Sequence, residues 1–167
     1  MRLTKTANRP ETNPRWMPYA AGAAAVATAA VVGSRAVDPN TDWYQRLDKP
    51  AWQPPPWAFG AVWTPLYLSI AWAAGHALQR THGRQRQALA TTLGTNLALI
   101  AAWNWMFFGC RSPKAGVLGT LLLDASNVLL IRRTARADAV AAQALVPYAG
   151  WCAFATALNW SIARRNR

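Results

Sequence analysis

Between Trp43 and Tyr67 the chain reads WYQRLDKPAWQPPPWAFGAVWTPLY, a stretch that gathers four of the ten tryptophans in the 167-residue sequence. The chemistry these residues offer is stacking. An indole face gives a flat apolar partner about 0.5–1.5 kcal/mol beyond the area it buries. Five prolines, Pro50, Pro54, Pro55, Pro56 and Pro65, stiffen the same run, because each fixes its own φ and pushes the residue before it toward extended backbone. A stiff, aromatic-rich segment leading into a helix near Ala58 suits a lid or wall over a flat apolar ligand. The same residue types also build the interfacial belt of membrane proteins, where indoles rest at headgroup depth. Residue types alone leave both readings open. The sequence contains no CxxC, HExxH, GxxxxGK(S/T) or GxSxG, so zinc, P-loop and hydrolase chemistry have no motif to stand on.

The elements that must position these aromatics are apolar and long. Hydrophobic residues make up 53% of the chain and charged ones 14%. The charges collect at the ends of five apolar stretches, at roughly 16–36, 58–79, 87–109, 115–131 and 139–163. Each is long enough to cross a hydrocarbon core of about 30 Å as a helix. In lipid the backbone amides need partners within their own segment, and the alternation of a membrane β-barrel is absent. The predicted architecture is all-α: an integral membrane bundle of five transmembrane helices with a long Pro/Trp-rich first loop. Residues 1–15 read as a polar, disordered tail and 16–166 as one domain. The net charge of +12 flanks the spans, as expected for anchoring helix ends and meeting anionic membrane lipid; no basic stripe marks a nucleic-acid partner. The basic residues divide almost evenly between the two ends, which leaves membrane orientation open.

Several polar residues fall inside the predicted spans. Asn96 lies in the third, and Asp124 and Asn127, three apart, share a face of the fourth. An ionisable group in lipid is a functional candidate by default, although a hydrogen bond to a neighbouring helix serves equally. His76 sits near the far end of the second helix, about 20 Å from Trp63, and His82 follows in the loop beyond, so no metal ligand is assigned. Cys110 and Cys152 form no disulfide framework.

Three stretches, WYQRLDKPAWQPPPWAFGAVWTPLY, NLALIAAWNWMFFG and VPYAGWCAFATALN, follow one another in order. Together they resemble the TspO/MBR family, which includes the tryptophan-rich sensory proteins and the translocator protein or peripheral benzodiazepine receptor. The resemblance implies a five-helix homodimeric bundle whose first loop closes over a pocket. It implies porphyrin or haem as ligand, with no required cofactor. Carried over by position, the pocket wall would comprise Tyr44, Trp52 and Pro55 of the loop, Trp63 of the second helix and Trp103 of the third. The fifth helix would add Trp151, Phe154, Ala155 and Leu158. Ile100 stands where the family often has an amide, and Asn96 one turn earlier is taken as its substitute. Arg46 and Lys49 are the expected cationic partners of the ligand's propionates. Trp160, in the place of a Tyr in the family's cholesterol pattern, leaves sterol binding unsupported, and Asp124 matches no family position.

The function the resemblance implies is a multi-pass membrane receptor or sensor that binds tetrapyrroles in a Trp-lined pocket, in a bacterial cell or outer membrane. The alternatives are a light- and oxygen-dependent porphyrin-degrading enzyme and a transporter of porphyrins or other apolar ligands. No catalytic residue is assigned, and the internal repeat that marks many transporters is absent.

Overall fold

A computed structural model describes residues 14–167 of the chain. The tail expected over 1–15 lies outside the described residues except for Pro14 and Arg15. Among the described residues the regular elements are all helical, without strands. The elements are α1 (Met17–Ser34), α2 (Asp42–Arg46), α3 (Pro56–Gln79), α4 (Gly83–Asn104), α5 (Pro113–Ala135), α6 (Ala139–Ala144) and α7 (Val146–Arg165). By length and composition, α1, α5 and the α6–α7 run are apolar enough to cross a membrane. At 24 and 22 residues, α3 and α4 are about 36 and 33 Å long.

The sequence punctuates these elements where expected, with three refinements. The proline-rich loop is not extended throughout: the one-turn α2 interrupts it, started by Thr41, whose hydroxyl accepts from the Tyr44 amide at 3.4 Å. The dense proline run, Pro50 to Pro56, begins only after this turn. α4 continues into a π turn, Trp105–Gly109, with the Cys110 amide donating five residues back to the Trp105 carbonyl at 2.8 Å. The extra residue per turn carries Phe107 inward, where it is buried. The last apolar stretch is divided at Leu145, because Pro147 has no N–H to continue the helical ladder.

Around the bundle α1 packs on α3 and α4, α4 on α5, and α5 on α7, while α3 and α7 barely meet. One half of the bundle is solid. Ile70, Ala73, Ala77, Leu93, Ile100 and Leu130 form its buried core. Here α1 and α3 approach to backbone distance: a Cβ on Gly75 would lie 2.7 Å from Tyr19 Cα, and one on Gly22 would lie 3.0 Å from the Ala71 carbonyl oxygen. Small residues allow such contact in lipid. A polar hub sits nearby. Asn96 Nδ2 donates to Asn127 Oδ1 at 2.7 Å and to Ser126 Oγ at 3.1 Å, and Tyr148 Oη donates to Asn96 Oδ1 at 2.8 Å. One buried amide thereby ties α4, α5 and α7 together. Asp124 belongs to the same framework, accepting from Thr156 Oγ1 of α7 at 2.6 Å.

The solid end is clasped at its surface. Tyr19 Oη of α1 lies 3.0 Å from His76 Nδ1 of α3. Asp138, in the turn before α6, takes the Ala141 amide at 2.7 Å, Arg80 Nε at 3.0 Å and His76 Nε2 at 3.8 Å. The amide hydrogen bond, followed by the charges of Arg80 and His76, holds the Asp138 carboxyl below the usual carboxylate range. A depressed folded pKa contributes stability above the unfolded value and loses it as pH falls through the folded one. The melting temperature should therefore fall as pH drops below about 4, and Asp138→Asn should flatten that acid limb in a detergent-solubilised thermal melt. An unchanged acid limb in the variant would remove the clasp from the account of stability.

At the opposite end the first loop is latched to α7. Asn166 Oδ1 accepts the Asp48 amide at 2.9 Å and Asn166 Nδ2 donates to the Asp48 carbonyl at 3.0 Å, with Arg165 Nη1 3.7 Å from the Asp48 carboxylate. Asn166→Ala removes both amide bonds, together worth about 1–3 kcal/mol. Hydrogen exchange over Leu47–Gln53 should accelerate while amides of the buried α4–α5 contact keep their protection; uniform acceleration would contradict a local latch.

Candidate functional site

Beneath the first loop the bundle is hollow. A cavity of about 550 Å³ opens between α1, α3, the end of α4 and α7. Three aromatic side chains of α3, Phe59, Trp63 and Tyr67, line one wall at four-residue spacing, which stacks them on one helix face. Trp63 and Tyr67 stack with ring centroids 5.1 Å apart. The facing wall comes from Trp103, Asn104 and the π-turn residues Phe107 and Phe108, with the Trp103 and Phe107 rings stacked at 5.9 Å. Leu158, Asn159 and Ile162 of α7 close the back, and all three are buried. Tyr44 and Gln53 supply the roof, joined by Gln53 Nε2 donating to Tyr44 Oη at 3.4 Å. Burial pushes the Tyr44 hydroxyl above its ordinary value, against the smaller effect of that bond, so it stays neutral at physiological pH.

Every residue of the wall is uncharged. The two expected cations lie outside it. Arg46 pairs loosely with Asp42 at 3.9 Å, both of them highly exposed. Lys49 Nζ rests 4.4 Å from the centroid of the Tyr44 ring, a cation–π distance that places one positive charge beside the roof. The arrangement can hold flat apolar rings by stacking, and can meet an acidic group only at the loop end.

Of the residues singled out from sequence, Tyr44, Trp63, Trp103 and Leu158 come together on the wall. Trp52, Trp151 and Phe154 form an adjoining aromatic group: Trp52 meets Phe154 edge-on at 5.7 Å, and Trp151 stacks on Phe154 at 5.1 Å. This group reaches the cavity through Phe59, whose ring is 6.0 Å from Trp151. Pro55 caps α3 next to the lining Pro56. Ala155 offers its carbonyl to Asn159 Nδ2 at 2.8 Å. Asn96 sits away from the wall in the polar hub. The sequence reading passed over Phe59 as a site residue although its spacing from Trp63 and Tyr67 signalled it. It also passed over Phe107 and Phe108, whose direction depends on the π turn, and Val31 and Ser34 of α1, where an Ala/Val-rich helix gives no distinguishing signal.

The chain was compared with known proteins by sequence. The TspO/MBR family profile matches residues 20–165. The human translocator protein is 32% identical over 157 residues, covering 92% of either chain. A tryptophan-rich protein TspO from Chlorobaculum tepidum is 35% identical, with 77% of this chain and 82% of the relative aligned. A tryptophan-rich sensory protein from Cereibacter sphaeroides is 30% identical across 75% of this chain and 77% of its own. With a hollow, Trp-walled helical bundle under a proline-stiffened loop, and with a match that runs almost from end to end, the chain belongs to the TspO/MBR family.

Proposed function

We propose that this protein is a membrane receptor or sensor that binds a tetrapyrrole, protoporphyrin or haem, in the cavity under its first loop. The observation that carries the reading is the cavity itself. Its volume of about 550 Å³ falls within the usual range of small-molecule sites. Its walls present Trp63 and Trp103 from separate helices under the Tyr44 roof. A macrocycle that stacks on these rings gains about 0.5–1.5 kcal/mol per pair in addition to the burial of its apolar faces. The ring's acidic edge belongs at the loop end, where Lys49 stands beside Tyr44, because the interior offers no cation to it. His76 is engaged in the clasp at the other end, so binding rests on the ring rather than on an axial imidazole. The same reading places the chain as a homodimer in a bacterial cell or outer membrane, meeting lipid through its apolar helices.

Titration of the purified protein with protoporphyrin should quench its tryptophan fluorescence saturably at micromolar concentration or below. Trp63→Ala and Trp103→Ala should each raise Kd by about tenfold, the equivalent of one lost stacking contact. Parent-like affinity in both variants, with parent-like helical content and melting temperature, would move the ligand out of this cavity.

A further inference from the structure

The walls of the cavity are unequal. The residues contributed by α7 and by the π turn's Phe107 are buried, with Phe107 at 4%, Leu158 at 5% and Ile162 at 3% exposure. Those contributed by α1 and α3 include Val31, Ser34, Gly60 and Thr64, all exposed while also lining the cavity. The open side therefore lies between α1 and α3.

The path of α1 explains the opening. At its start α1 lies against α3, where Gly22 and Gly75 permit backbone contact and Tyr19 reaches His76. At its end it leans on α4 instead. Trp105 Nε1 donates to the Val32 carbonyl at 3.2 Å, and a Cβ on Gly33 would meet Asn104 Nδ2 at 2.7 Å and Ala101 Cα at 3.3 Å. Two helices joined at one end, with the other end of α1 drawn to a third helix, must splay. On α3 the gap is bordered by Gly60, where an added Cβ would meet nothing within 4 Å. Gly60 and Thr64 lie about 6 and 12 Å along α3 from Pro56, below the level of the loop. Around the gap the outer surface is apolar or small, with Ala27, Val31 and Ala61 exposed.

We infer that the gap between α1 and α3 is a lateral doorway through which a flat ligand already dissolved in the bilayer enters the cavity, without passing through the first loop. This rests on the proposed ligand-binding role of the cavity and adds the ligand's source. The site would draw on the membrane-partitioned pool of an apolar, ring-shaped molecule. An acidic edge on that molecule would trail at the headgroup end, beside Lys49.

The test ties the doorway shut and releases it in one and the same protein. Ser34→Cys and Gly60→Cys are combined in a Cys110→Ser background, since Cys110 is exposed and Cys152 is buried. The pair is bridged by a bifunctional methanethiosulfonate reagent that reductant removes, with mass spectrometry confirming the link. The full chain is held in lipid nanodiscs, and the probe is protoporphyrin dimethyl ester, uncharged and bilayer-soluble, delivered from donor vesicles. In the tied protein, quenching of tryptophan fluorescence should slow by about tenfold or more. Probe loaded before tying should be trapped, and reductant should restore both rates. Gly60→Phe, for which the open space leaves room, should slow association in the same direction without any cross-link. Preloaded probe leaving the tied protein at the released rate, or an unchanged association rate in Gly60→Phe, would overturn the doorway in favour of entry beneath the loop. Failure of the untied protein to bind the probe saturably would instead overturn the binding role of the cavity, and the doorway with it.

Discussion

The close approach of α1 and α3 through Gly22 and Gly75 is the constraint from which the rest of the molecule follows. Apolar side chains gain little by leaving lipid for a protein interior, so helices in a bilayer hold together through close packing and a few hydrogen bonds. Both secure the half of this bundle away from the first loop. Two glycines admit backbone contact between α1 and α3, and Asn96 binds α4, α5 and α7 through three hydrogen bonds. With that half fixed, the other half need not close on itself. Its large rings keep the helices apart, and the space between the rings is the cavity.

How much of this could be read from sequence varied by element. The helical class was legible because long apolar stretches flanked by charge have few alternatives in lipid. The Pro/Trp-rich loop was legible as a stiff segment because proline leaves a backbone signature in the sequence itself, whereas residue types left lid and interfacial belt open. The helix α2 was not, since a single capped turn from Asp42 to Arg46 is too short to carry a periodic signal. Four of the residues singled out for the pocket lie together on the wall, whereas Asn96 lies elsewhere for a reason no spacing reveals. An amide in a span may face a ligand or two other helices, and only the positions of Asn127 and Tyr148 in space distinguish the two. The π turn at Trp105–Gly109 is a similar case, because one inserted residue redirects two phenylalanines.

Asp124 shows how a carboxyl group inside the bundle can be absorbed. A carboxyl group halfway along a spanning helix is costly unless it has partners. Here Thr156 on the facing helix provides one at 2.6 Å, in the same α5–α7 contact that Asn127 and Tyr148 serve through Asn96. The group reads as part of the seam between two helices and lies apart from the aromatic wall.

The bond pair between Asp48 and Asn166 joins residues 118 positions apart in the chain. A ribosome emits about 5–20 residues per second, so the roof segment waits several seconds before its fastening point on α7 exists. During that interval the nascent bundle can already assemble α1, α3 and α4 while its aromatic chamber still lacks a back wall and a fixed ceiling. The chamber thus closes only after α7 has been made.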